Sequence, residues 1–185
     1  MKNFSSRIRR GFTLAEVLVT IAIIAVLAAV LLPAVNSQLA KGDTGRLTSD
    51  LINLRTGAQS FVSDMHKYPS TTTQLTTAIT SGSTDIYTVA FPSAILTRWK
   101  GPYVDKEAVS NTAGGTFSST FTNVLNAVNS VNYLTATVTG VSATDYASIE
   151  NVIDEGTASS TSSSEGALRY NAGSSTLTFL LLPIQ

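Results

Sequence analysis

From Phe12 to Val35 the chain is almost wholly apolar, interrupted by only three polar side chains, Thr13, Glu16 and Thr20. At about 1.5 Å of rise per residue, such a run as a helix spans the roughly 30 Å of a hydrocarbon core. Its β-branched residues are poor helix formers in water. In lipid, internal satisfaction of every backbone hydrogen bond overrides that preference. The ten residues before it, MKNFSSRIRR, are polar and basic, followed by Gly11. Positive charge on that side keeps the N-terminal end in the cytoplasm and sends everything after Val35 outward.

Three readings of this segment compete. A secretory signal peptide has an apolar core of about 7–15 residues and an Ala-x-Ala-like site, and this run is too long for it. A plain single-span anchor leaves Glu16 unexplained. A carboxylate in the bilayer costs a few kcal/mol, less near the interface, so it asks for a partner. The third reading comes from the residues in order: a basic leader ending in Gly11, then Phe12, then Thr13-Leu14-Ala15-Glu16, then an unbroken apolar run to Pro33. This pattern resembles the class III signal of type IV pilins and type II secretion pseudopilins. Ala15 stands where that family usually has a bulkier residue.

The resemblance implies a role for each matching position. Residues 1–11 would be a leader removed by a prepilin peptidase, with Gly11 its last residue. Phe12 would become the mature N-terminus and be N-methylated by the same enzyme. Glu16 would pair with the terminal amine of a neighbouring subunit. A buried carboxylate and a buried ammonium are each costly alone and far less so together. Pro33 removes one backbone donor and would sit where the helix is often locally unwound in the filament; a simple kink on leaving the membrane is the alternative. Residues 12–35 would form the membrane and filament-core helix, and 36–185 an exported head.

Composition narrows the function classes. Of twelve Lys and Arg, four (Lys2, Arg7, Arg9 and Arg10) precede Gly11, leaving eight against twelve Asp and Glu. No basic patch of the kind a phosphate backbone needs is evident, so direct nucleic-acid binding is not expected. There is no cysteine, which excludes disulfides, thiolate metal sites and cysteine catalysis. The single histidine, His66, has no second His or Cys with which to build a zinc site. No phosphate loop or nucleophile elbow is present, and no catalytic residue or cofactor is expected. Asp154, Glu155 and Glu165 flank a Ser/Thr-rich stretch, 157–164, and could gather around Ca²⁺; a solvated acidic loop is the preferred reading.

Beyond Pro33 the helical pattern becomes amphipathic. Leu47, Leu51, Leu54, Ala58, Phe61 and Met65 recur at spacings of three and four, one stripe of a helix that packs on a sheet. Gly42 and Gly45 predict a soft point, and Tyr68-Pro69 predicts a helix end near His66. A loop with a short helix is expected over 70–84, a strand over 86–91, and either structure over 117–130. Tyr133–Val141 alternates as a half-buried strand, with Leu134, Ala136 and Val138 inward. A short helix through Ile149 and Ile153 would be capped by Thr144 or Asp145 and closed by Gly156. Residues 167–171 and 176–182 form a candidate hairpin. The segment Arg98-Trp99-Lys100-Gly101-Pro102-Tyr103 is similar to one in the major pseudopilin of type II secretion, but that protein's Asp-Pro-Trp-Gly-like continuation and calcium loop are missing. Trp99 and Tyr103 are expected to be buried under a sheet edge.

The fold expected is therefore α+β: a long N-terminal spine helix, hydrophobic then amphipathic, on a small antiparallel sheet of about four strands. The function implied is a structural subunit of a type IV pilus filament. The alternatives are a type II secretion pseudopilin and a membrane-anchored binding protein that never polymerises. The partners implied are copies of the chain, the prepilin peptidase, an inner-membrane assembly platform with its ATPase, and the bilayer before assembly. The chain would lie in the inner membrane and then in a surface pilus, or in the periplasm as a pseudopilin.

Overall fold

A computed structural model describes residues 11–110, 114–154 and 166–184. The chain divides into two compact units, Met1–Ala40 and Lys41–Gln185. Helix α1, Leu14–Met65, contributes to both. It continues through Pro33, Gly42 and Gly45, so neither the proline nor the glycine pair breaks it in the single chain. One missing N–H and two glycines weaken a helix, but flanking turns that remain hydrogen-bonded carry it across. In the first unit the apolar side chains are exposed: Leu14, Val26, Val30 and Leu32 all keep more than half of their surface.

In the second unit the stripe of α1 is the centre of the core. Leu47, Leu51, Leu54, Ala58, Phe61 and Met65 are all buried, none more than 1% exposed. The helix stops where His66 takes a left-handed backbone (φ 52°) and donates its N–H to the Val62 carbonyl at 2.8 Å. This ends the helix at the place that Tyr68-Pro69 predicts.

The short helix expected in the loop is α2, Thr73–Thr76; a second, α3, covers Ser93–Leu96. The strand expected over 86–91 does not form. The buried Asp85 carboxylate instead accepts the backbone N–H groups of Tyr87 and Val89 at 3.0 and 2.9 Å, and the Lys67 ammonium at 2.9 Å. An aspartate that satisfies the backbone locally competes with a strand ladder, and the chain turns.

Among the described residues five strands form one antiparallel sheet: β1 Thr116–Phe117, β2 Thr122–Asn126, β3 Val131–Thr139, β4 Leu168–Asn171 and β5 Thr176–Ile184. Their order is β1-β3-β5-β4, with β2 also on β3. The ambiguous region 117–130 thus holds the end of β1, all of β2 and a turn over 127–130, where its apolar spacing had equally suited a helix. Leu134, Ala136 and Val138 are buried as alternation requires. Thr135 is buried as well, because the register shifts between Leu134 and Thr135 and its hydroxyl meets the Thr122 hydroxyl at 2.7 Å. The hairpin β4–β5 forms as expected, around a turn ending at left-handed Ser175.

Helix α4, Ala143–Ile153, is capped by Ser142 rather than Thr144 or Asp145. The Ser142 hydroxyl accepts the Asp145 N–H at 3.1 Å, and the Thr44 hydroxyl of α1 donates to the Asp145 carboxylate at 2.9 Å. The expected closing residue, Gly156, lies outside the described residues.

Candidate functional site: the N-terminal segment and the flanks of the spine helix

Gly11, Phe12 and Thr13 precede the first helical residue and are exposed, Phe12 by 90%. The peptide bond between Gly11 and Phe12 therefore lies in irregular, accessible backbone, and among the described residues nothing stands within 4 Å of where a Gly11 side chain would be. The first turn of α1 is closed by a reciprocal pair. Glu16 Oε2 accepts the Thr13 N–H at 2.8 Å and the Thr13 hydroxyl at 3.0 Å, and the Thr13 hydroxyl accepts the Glu16 N–H at 3.2 Å. A helix start leaves four N–H groups without intrahelical partners, and a Thr-x-x-Glu capping box satisfies two of them. The Thr13-x-x-Glu16 spacing makes this box legible in the sequence. Pro33 lies five turns further along the same helix, so the structure does not bring it to Glu16.

The acidic candidates separate. Glu155 and Glu165 lie outside the described residues. The Asp154 carboxylate accepts the backbone N–H groups of Ala167 and Leu168 at 3.1 and 2.9 Å. It thereby joins the end of α4 to the start of β4. Among the described residues, no group of three His, Asp or Glu is placed to hold a metal ion.

On one flank of α1 the segment after α3 is clipped to the helix. Lys100 Nζ donates to Asp64 Oδ1 at 2.9 Å, and the Tyr103 hydroxyl donates to Asp64 Oδ2 at 3.0 Å. The hydrogen bond from Lys100 holds the Asp64 carboxyl below its ordinary value, and burial pushes the Tyr103 phenol up. Trp99 donates its ring N–H to the Gln74 carbonyl at 2.9 Å and meets the Tyr103 ring edge-on at 5.6 Å. Tyr103 in turn stands edge-on to Phe61. These aromatics are half-buried against α1 and the α2 loop, not under a sheet edge as expected. Gly57 permits the approach: a Cβ there would overlap Val104 and come within 2.8 Å of the Tyr103 carbonyl.

On the other flank Arg55 reaches β5. Its guanidinium lies 4.4 Å from the Phe179 ring centroid and donates from Nη2 to the Leu180 carbonyl at 3.0 Å. β4 covers β5 only as far as Phe179. Beyond it, Leu180 N–H goes to the Ala167 carbonyl, Pro183 has no N–H, and the Pro183 carbonyl accepts the Tyr68 hydroxyl at 3.2 Å. A sheet edge blunted in this way resists adding a further strand.

Residues 6–32 match the family model described as the prokaryotic N-terminal methylation motif. Several curated relatives are each named type II secretion system core protein G. The one from Pectobacterium carotovorum subsp. carotovorum is 35% identical over 72 residues, 39% of this chain and 46% of the relative. That of Escherichia coli (strain K12) is 38% identical over 63 residues, 34% of this chain and 43% of the relative. That of Klebsiella pneumoniae is 31% identical over 84 residues, 45% of this chain and 60% of the relative. The chain spans about half the length of the curated relatives it matches. No solved structure matches it significantly. The apolar N-terminal part of α1 is long enough to cross a membrane and none of it is buried within the chain, so it anchors the chain before assembly. With the methylation motif at its start, its likeness to core protein G and the spine helix on its small antiparallel sheet, the chain resembles the type IV pilin and pseudopilin family.

Proposed function

We propose that this chain is a filament subunit of the secretion type, a pseudopilin, assembled through the N-terminal part of α1. The observation that carries this reading is the name shared by the relatives, type II secretion system core protein G. The order of the two expectations from sequence is thereby reversed. In this reading Gly11 is the last residue removed by a prepilin peptidase and Phe12 the methylated N-terminus. Glu16 pairs with a neighbour's terminal amine, and Pro33 marks where the helix adapts on assembly. The partners are copies of the chain and an inner-membrane assembly machine. The filament is periplasmic, and the chain carries no catalytic residue or cofactor.

The pilus reading keeps one observation in its favour. The head departs from core protein G after Tyr103, where the Asp-Pro-Trp-Gly-like continuation is absent.

Two measurements test the proposal. Glu16→Ala should leave leader removal intact and abolish filaments; normal filament yield would overturn the role of Glu16. Filaments sheared from native cells, analysed by mass spectrometry, separate the two machines. A chain that stays in the envelope fraction supports the secretion reading, whereas one that dominates sheared surface filaments overturns it.

A further inference from the structure

A cleft of about 500 Å³ opens beside Arg55, lined also by Gln59, Asn126, Tyr133 and the Leu180–Pro183 end of β5. Among the described residues no carboxylate lines it. Arg55 uses Nη2 on the Leu180 carbonyl, while its buried Nε has no acceptor among the described residues. Asp154 is close enough to act on Arg55 electrostatically, but its oxygens are turned to the Ala167 and Leu168 amides. The cleft thus offers a half-buried guanidinium with spare donors, together with the side-chain amides of Gln59 and Asn126. A carboxylate is the group that a guanidinium fork recognises best.

The complementary group lies on the opposite flank of the same helix. Asp105 and Glu107 are exposed and, among the described residues, in no ion pair. They belong to the segment that packs on Gly57, Asn53 and Thr56. Gly57 is two residues from Arg55, roughly 200° around the helix at 100° per residue. A donor cleft on one flank and an acidic segment on the other cannot meet within one molecule. Between copies they make a heterologous, head-to-tail contact, which propagates rather than closing a dimer.

We propose that the Arg55 cleft of one subunit receives the Asp105 or Glu107 carboxylate of the next, a lateral contact between heads. This inference rests on the filament reading. It adds a charge-directed contact that sets which neighbour a head touches.

The absence of native cysteine makes the test direct. Gln59→Cys is combined with Glu107→Cys, or with Asp105→Cys, in the full chain, all three positions being exposed. Assembled filaments are then oxidised and run under non-reducing conditions. The expected result is a ladder of dimers, trimers and higher species from at least one pair, absent from each single variant. Adding Arg55→Glu should reduce the ladder at least fivefold, and Asp105→Arg with Arg55→Glu and the Gln59–Glu107 cysteine pair should restore it. Filaments that give no ladder with either pair, or only an internally linked monomer, would overturn the contact. Dimers from Gln59→Cys alone would show a two-fold contact and overturn it too. If the unmodified chain forms no filaments, the filament reading itself fails.

Discussion

The carboxylate of Glu16 folds back onto Thr13, accepting both its N–H and its hydroxyl, so in the single chain it serves as a helix cap. Both bonds go to Oε2, which leaves the second carboxylate oxygen to take a neighbour's amine in the proposed filament. Thr13 therefore positions the carboxylate proposed to pair with a neighbouring subunit.

Thr13→Ala removes the hydroxyl bonds and keeps only the backbone one. Losing a cap of this kind costs about 1 kcal/mol, or about fivefold in the equilibrium of the first turn. Amide exchange at Glu16, measured on the chain in detergent, should accelerate by about that factor, while exchange at Leu31 stays unchanged.

Gly57→Ala should be the most damaging single methyl in the head. The added carbon would overlap Val104 and press on the Tyr103 carbonyl, and backbone cannot yield as a flexible side chain can. Overpacking costs about 1–3 kcal/mol, and here the Asp64 clip would be strained as well. Thermal unfolding should shift down by several degrees (~4–8 °C per kcal/mol for a small domain), whereas Gly45→Ala, with open space around it, should not be destabilised.

Asp64→Asn should weaken the clip in a pH-dependent way. The folded carboxyl titrates below its ordinary value of 3.8 because Lys100 and Tyr103 donate to it. A depressed carboxyl contributes stability above the unfolded value, and loses it as pH falls through the folded one. The wild type should therefore be more stable than Asp64→Asn at neutral pH, and the gap should close below about pH 4. Equal urea midpoints at pH 7 would remove the clip from the account.

Much of this molecule was legible as pattern. The apolar run, the basic leader and the spacing around Glu16 depend on short-range chemistry, and so does the stripe from Leu47 to Met65. Helical periodicity and membrane length are local properties, and each can be read one turn at a time. The β4–β5 hairpin belongs here too, since alternation and a small-residue turn specify it.

What only the tertiary structure decided is where one segment meets another. Residues 86–91 have strand-like side chains, yet the Asp85 carboxylate, paired with Lys67, takes their amides. Phe121 to Val128 has helical spacing, yet β3 offers residues 122–126 a ladder. Trp99 and Tyr103 lie on α1 because Gly57 lets the backbone approach, and Arg55 sits at a cleft because β4 stops short along β5. Each outcome rests on partners far apart in the chain. Local propensity differs by only about 1 kcal/mol between strand and turn, so a long-range hydrogen bond or a close packing contact settles it.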